Sequence, residues 1–560
     1  MRRPKLLPSI SLLICVAGGL LTLNVCGGGG AANTTAAPVA SITASPNAIP
    51  AGQSVMLSWQ TSNATSVSIQ GLGTVAASGS QKVTPASSTD YQLTATGPGG
   101  MAKVAAQVTV TTTPIEHVVI IFQENRSVDN LFGSDRFNPN GRQLPNADIA
   151  DFGINSHGDL VPLTAVSIKA PYNPDHSRIP AFQDMCDISS STGNCKMDGA
   201  DKIQIFCDPG KPNCAPPNPQ FKYVQGGDVQ PYFQMAETYT FGDRMFQTNQ
   251  GPSFPAHQFI ISGTSAPSAG SDLFVAENPT GIDTGVSKQK TGCIAAPEAT
   301  VLTIDPNGIE TPVYPCLDHP TLTDELNTSQ LSWRYYAPSD GSIWTGPNAI
   351  QHMCGPNATP PNATACTGSD WSNVVLQNSS NDVHTPNAVL ADISSGKLAT
   401  VTWVIPSGEA SDHPRGTDGS GPTWVSQIVN AIGNSPYWAN TAIIITWDDW
   451  GGWYDHVPPP AILNAYEFGF RVPLIVVSPY AKPQYVSHQV YDFGSIMKFI
   501  EKDFGLSTVA AGYADTFTLT GDLMDCFNFS QQPLVFKTIV ASAPSRFKHT
   551  GSPPSDPDDD

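Results

Sequence analysis

The stretch TAIIITWDDWGG at residues 441–452 decides the fold. Residues 441–447 are uncharged and mostly β-branched, and two aspartates follow at once. An unbroken run of this kind suits a strand buried on both faces, as in a parallel sheet, whereas a half-wet strand alternates. Residues 117–122, 398–405 and 472–477 are runs of the same kind. Between and after them lie helical stretches such as residues 495–504, with Ile496, Phe499, Ile500 and Phe504 at helical spacing. The pattern predicts an α/β layered domain around a mostly parallel central sheet. Such sheets gather ligands beyond the carboxyl ends of their strands.

The residues at those ends are polar. The run 117–122 leads into Gln123, Glu124, Asn125 and Arg126; the run 441–447 leads into Asp448, Asp449, Gly451 and Gly452; the run 398–405 leads through a glycine-containing loop to Asp412 and His413. Oxygen donors at about 2–2.6 Å suit Mg²⁺, Ca²⁺ or Mn²⁺, and imidazole admits Fe or Zn. Taken singly, each group has a structural alternative: Glu124 could pair with Arg126, and Asp448 could cap a helix. Jointly they predict a divalent-cation site at one sheet edge.

A nucleophile candidate lies in TNQGPSFPAHQFIISGTS, residues 248–265. Ser253 follows a Gly-Pro turn and precedes Pro255, which suits a first helical turn. A serine there faces free N–H groups and the positive end of the helix dipole, a site for phosphate. Read alone, this segment fits an ordinary N-cap serine equally well.

Composition narrows the class. Among 560 residues, 27 are Lys or Arg and 47 are Asp or Glu, a net charge of −20, which disfavours nucleic acid as a partner. Charged residues make up 13%, with 50 Pro and 48 Gly, a loop-rich composition. Arg2, Arg3 and Lys5 precede an apolar stretch over residues 6–25, the layout of an export signal. Cys26 before four glycines resembles the lipid-modified cysteine of bacterial lipoproteins, which implies an outer-membrane or periplasmic lipoprotein; plain secretion is the alternative. Of eleven cysteines, Cys15 and Cys26 fall in the leader. Eight others fall into the short-range pairs Cys186–Cys195, Cys207–Cys214, Cys293–Cys316 and Cys354–Cys366, leaving Cys526.

Residues 42–113 read as short strands at 55–59, 66–69, 91–96 and 105–110 separated by turn formers, a β-sandwich pattern. ASPNAIPAGQSVMLSWQTSNATSVSIQGLG resembles bacterial immunoglobulin-like domains, with Trp59 and Tyr91 at core positions. Spacing, or contact with a cell-surface polymer, is the role this implies. The expected organisation is a leader over 1–26, a linker over 27–41, the sandwich over 42–113, a catalytic domain over 114–545 and an acidic tail over 546–560.

Five segments, IEHVVIIFQENRSVDNLFG, GPSFPAHQFIISGTS, SDHPRGTDGSGPTWV, ITWDDWGGWYDHVPPP and RVPLIVVSPYAKPQYVSHQVYDFGSIMKFIEKDFGL, together resemble the phosphoesterase family of bacterial phospholipases C and acid phosphatases, within the alkaline-phosphatase-like fold. The resemblance implies Glu124, Asn125, Asp448 and Asp449 as metal ligands and Ser253 as nucleophile. It implies that His413, with His176 and His352, contacts phosphate oxygens or protonates the leaving group, and that His257 and His456 support the site. Val128 stands where an aromatic is usual, and Asp449 where Glu is frequent. Serine, in place of the threonine frequent in the phospholipase branch, points toward phosphate monoesters and the acid-phosphatase type. The metal would be Ca, Mg, Mn, Fe or Zn. Phospholipase C action on phosphodiesters is one alternative; others are a sulfatase, from the Ser-x-Pro-x pattern at Ser253, and an inactive surface adhesin.

Overall fold

The computed structural model describes residues 36–133, 144–188, 194–207, 213–280, 290–377, 384–460 and 468–547. The expected leader with Cys15 and Cys26 and most of the acidic tail lie outside the described residues.

The long apolar runs form one eight-stranded sheet. Its strands are β1 (His117–Gln123), β2 (Thr240–Gly242), β3 (Trp333–Ala337), β4 (Val374–Leu376), β5 (Val401–Val404), β6 (Thr441–Trp447), β7 (Leu474–Val477) and β8 (Tyr485–Ser487), in the spatial order β4-β3-β5-β1-β6-β7-β2-β8. Only β7 is antiparallel to its neighbours; every other pairing is parallel, as expected. Strands β5, β6 and β7 are buried along their whole length, and β1 is buried beyond His117. Each fully buried Ile or Val there contributes about 1.5–3 kcal/mol.

Four helices position the site: α1 (Val128–Phe132), α2 (Ser253–Ser262), α3 (Gly421–Gly433) and α4 (Phe493–Phe504). Helix α4 starts at Phe493, two residues before the expected 495, because Asp492 and Ser495 form a reciprocal cap; Gly505 ends it in a left-handed conformation. Among the described residues no helix is long and apolar enough to cross a membrane.

Residues 39–111 form two sheets, one of three strands and one of five, around a core containing Trp59 and Tyr91. The first strand, Val39–Ser45, begins inside the stretch read as linker. Gly79 lies against the Trp59 ring, where a Cβ would come within 2.8 Å. The segment after the sandwich is fixed to helix α4: the amides of Thr112 and Thr113 donate to the carbonyl and carboxyl of Asp503, at 2.9 and 3.0 Å.

All four expected disulfides are present, Cys186–Cys195, Cys207–Cys214, Cys293–Cys316 and Cys354–Cys366, and Cys526 is free and buried.

Candidate active site

Register builds the site. Gln123 pairs with Trp447 at the carboxyl ends of β1 and β6, so Glu124 and Asp448 leave the sheet side by side. The Asp448 amide donates to the Gln123 carbonyl at 3.0 Å, and the Asn125 amide donates to Asp448 Oδ1 at 3.1 Å. Asn125 turns with φ 58°, a left-handed conformation that asparagine tolerates. The next turn is equally tight. Gly451 and Gly452 have φ 65° and 71°, and a Cβ on them would lie 2.2 Å from the Asn125 carbonyl oxygen and 2.5 Å from that of Asp175. The Gly-Gly pair thus lets the segment after Asp449 pass beneath the loops bearing Asn125 and His176.

One group of buried side chains draws ligand atoms from three elements. Atoms of Glu124, His257 and Asp448 all lie within 4.8 Å of one another. His257 Nε2 is 3.4 Å from Glu124 Oε1 and 3.7 Å from Asp448 Oδ2. Asp448 Oδ2 is buried and accepts no hydrogen bond among the described residues. Arg126 does not neutralise this charge: its guanidinium donates to the Asp412 carbonyl, Asn130 Oδ1 and the Ile168 carbonyl, and lies 5.2 Å from the centre of the Trp453 ring. The pairing of Glu124 with Arg126 considered from sequence is therefore replaced by a structural role for the arginine.

Ser253 is the first residue of α2 and does not cap it; Pro252 occupies the cap. Its hydroxyl donates to Asp449 Oδ2 at 3.2 Å. The same oxygen accepts from Asn125 Nδ2 at 3.2 Å, and Asp449 Oδ1 accepts from the Gly451 amide at 2.7 Å. Asp448 and Asp449 thus divide their work: one faces Glu124 and His257, the other holds the serine.

His176 Nδ1 is 3.0 Å from the Pro174 carbonyl, which makes it the protonated nitrogen. Nε2 then accepts from Asn125 Nδ2 at 3.0 Å. His413 stacks edge-on against His176, ring centres 5.7 Å apart, and its Nδ1 lies 2.7 Å from the Pro414 carbonyl. Its loop is anchored by Asp412, whose carboxylate accepts from Tyr232 and Trp447 at 2.8 and 3.1 Å and is pushed up to about 6 by burial.

His352 is not brought to this group. It lies 2.8 Å from Asp318 and 3.4 Å from Asp324, hydrogen bonds to which raise it to about 9 against the opposing effect of burial. It sits on a short helix, Gln351–Cys354, whose place the sequence did not disclose. His456 supports from outside, bonded to Asp129 at 2.7 Å and Asp148 at 2.9 Å beside the Arg471–Asp455 ion pair.

Ser253 has no exposed surface. A cleft of about 250 Å³ lies next to it, lined by Pro252, His176, Asp175, Phe206, Glu277 and Leu302. Asn278 in the same wall accepts from the Phe254 amide at 2.9 Å. Glu277 accepts from the Ile179 amide, and burial pushes its carboxyl up to about 8. Neither residue belongs to a motif, so sequence alone gave no sign of them.

The description "Phosphoesterase family" attaches to a family model that matches residues 115–507. The chain belongs to that family. Glu124, Asn125, Ser253, Asp448 and Asp449 all fall inside the matched stretch, and the sandwich falls outside it. The chain is 24% identical to a non-hemolytic phospholipase C of Pseudomonas aeruginosa over 74% of its own length and 57% of the relative's. It is 24% identical to phospholipase C B of Mycobacterium tuberculosis over 75% of its length and 79% of the relative's. It spans between half and two thirds of the Pseudomonas and Burkholderia relatives it matches. A solved alkaline-phosphatase-superfamily protein of Vibrio parahaemolyticus is similar at 12% identity and TM-score 0.29, over 53% of this chain and 63% of that one.

Proposed function

We propose that this phosphoesterase-family chain is a metal-dependent hydrolase of phosphate monoesters, of the acid-phosphatase type, with Ser253 as nucleophile. The observation that carries this reading is the meeting of the Ser253 hydroxyl with Asp449 beside the buried Glu124–His257–Asp448 group. The donor set fits a divalent cation: two carboxylates and an imidazole converge, and Asp448 Oδ2 is buried without a hydrogen bond among the described residues. Glu124 and Asp448 would hold the ion, with Asn125 and Asp449 alongside. When bound, the ion supplies positive charge that eases ionisation of a nearby hydroxyl and offsets charge on the phosphoryl oxygens.

The chain's own residues do the rest. Asp449 aligns the Ser253 hydroxyl and takes its proton, and the serine oxygen bonds to phosphorus as the ester oxygen departs, leaving phosphoserine. His413, with His176 packed against it, gives the departing alcohol its proton. Water then attacks phosphorus in the reverse sense, giving a proton to His413, while the proton held by Asp449 returns to the departing serine oxygen and phosphate is released. Because Ser253 is fully buried, substrate enters only when the wall of the adjoining cleft moves.

The names of the relatives favour a second reading, a phospholipase C acting on phosphodiesters. Four disulfides support a place outside the cytoplasm, with attachment through Cys26 and spacing by the sandwich as the corresponding roles. The converged cluster speaks against an inactive adhesin. Assays of p-nitrophenyl phosphate and phosphatidylcholine with wild type and Ser253→Ala decide between these. Monoester turnover lost in the variant supports the proposal, diester turnover alone supports the second reading, and full activity in the variant removes Ser253 as nucleophile.

A further inference from the structure

The sequence places His257 only as a supporting residue, four positions after Ser253. Its position in the structure asks more of it. Its ring is fully buried on α2, and Nε2 points between Glu124 and Asp448, 3.4 and 3.7 Å from their oxygens. Those separations are long for hydrogen bonds. They match two donors sharing one ion: ligands about 2.1 Å from a tetrahedral centre stand about 3.4 Å apart. The other ring nitrogen faces a hydroxyl at a comparably long separation. Tyr335, buried in β3, has its hydroxyl 3.0 Å from the Trp344 carbonyl and 3.5 Å from His257 Nδ1. A hydroxyl that donates to the carbonyl offers the histidine a lone pair, which favours the proton on Nδ1 and an unprotonated Nε2. Gly346 packs against the backbone here, where a Cβ would lie 2.6 Å from the His257 carbonyl oxygen, so α2 has little freedom to shift.

We infer that His257 is a direct nitrogen ligand of the cation held by Glu124 and Asp448, making the centre one for a borderline transition ion such as Zn²⁺ or Fe²⁺ instead of Ca²⁺ or Mg²⁺. Imidazole suits the former pair, while the latter two prefer all-oxygen shells. Tyr335 is a positioning residue acting through His257. A partner that fixes a ligand's tautomer changes metal affinity by about 10- to 100-fold. The inference rests on the phosphoesterase reading, since it concerns the same centre. It also ties nucleophile and metal together: Ser253 and His257 stand one helical turn apart on α2, so a single rigid element sets their spacing.

The test uses the full chain, stripped with a chelator and titrated separately with Zn²⁺ and Ca²⁺ by calorimetry, comparing wild type with His257→Gln, Tyr335→Phe and Asp448→Asn. Wild type should prefer Zn²⁺; His257→Gln should lose at least about a hundredfold in Zn²⁺ affinity with little change for Ca²⁺, and Tyr335→Phe about tenfold in Zn²⁺ affinity. X-ray absorption of the zinc-loaded wild type needs no variant and should show imidazole scattering. Zinc affinity unchanged in His257→Gln but lost in Asp448→Asn overturns the inference and leaves the proposed function standing, as does a zinc spectrum without imidazole. No ion bound by wild type overturns both.

Discussion

Ser253 and Asp449, 196 positions apart in the chain, meet through a 3.2 Å hydrogen bond from Oγ to Oδ2. This contact joins the first turn of α2 to the carboxyl end of β6. Removing the nucleophile should lower kcat by about three orders of magnitude or more, and Asp449→Asn, which keeps an oxygen near the serine, by about 10²–10⁴-fold. Single-turnover kinetics with acid quench reads both. An Asp449→Asn enzyme of wild-type rate would remove that carboxylate from the reaction.

At Gly451 one methyl group would meet both an unfavourable backbone angle and a wall beside the site. Its φ of 65° and the 2.2 Å approach of a Cβ to the Asn125 carbonyl leave no room. Gly451→Ala should destabilise the fold by at least about 1–3 kcal/mol and displace Asn125. Gly158, with φ 82° and open space around it, isolates the conformational part, so Gly158→Ala should leave activity intact. Urea melts and initial rates of the pair measure the contrast; equal effects would refute it.

Glu277 gives stability a pH dependence of definite sign. Burial raises its carboxyl to about 8 from 4.5. Below the lower value both states are protonated. Between the two, the folded chain keeps a proton that the unfolded chain releases, so rising pH weakens the fold until about 8, where the effect levels off. Glu277→Gln should therefore gain stability relative to wild type as pH climbs from 5 to 8. Chemical melts at several pH values test this, and a constant difference would contradict it.

His352 gives a pH dependence of the same sign, but as a stabilisation lost and not as a penalty incurred. Hydrogen bonding to Asp324, then to Asp318, raises it to about 9 from 6.5. The stabilisation is fully present below the unfolded value and disappears as pH rises through the folded one. The side chain is about one third exposed, so His352→Gln should lose no more than about 1 kcal/mol at pH 6 after solvent screening, and almost nothing at pH 10. Its kcat should stay near wild type while His413→Gln falls by about 10²-fold or more. A comparable fall in both would restore His352 to the reaction.

The central sheet was legible because β1, β5, β6 and β7 are uniformly apolar, and a strand wet on neither face has no other use for such a run. Short strands such as Thr240–Gly242 and Tyr485–Ser487 carry no period of their own; their pairing with β7 and with each other fixes them. Glu124 and Asp448 were legible as strand-end residues. The separate duties of Asp448 and Asp449 were not, since side-chain direction after a strand depends on turns that Asn125, Gly451 and Gly452 impose. His257 was visible in its motif, but its approach to Glu124 follows from how α2 crosses the sheet. Tyr335 and Glu277 lie outside every motif, and only long-range packing brings them in.

The sandwich bears on the site in a mechanical way. Its last strand, Gly100–Thr111, runs on almost directly into β1, the strand that carries Glu124 and Asn125 at its far end. Thr112 and Thr113 are pinned to Asp503 between them. A pull on the amino-terminal side would therefore meet that pin on α4 before it reached the strand beneath the catalytic residues, as at a strain relief.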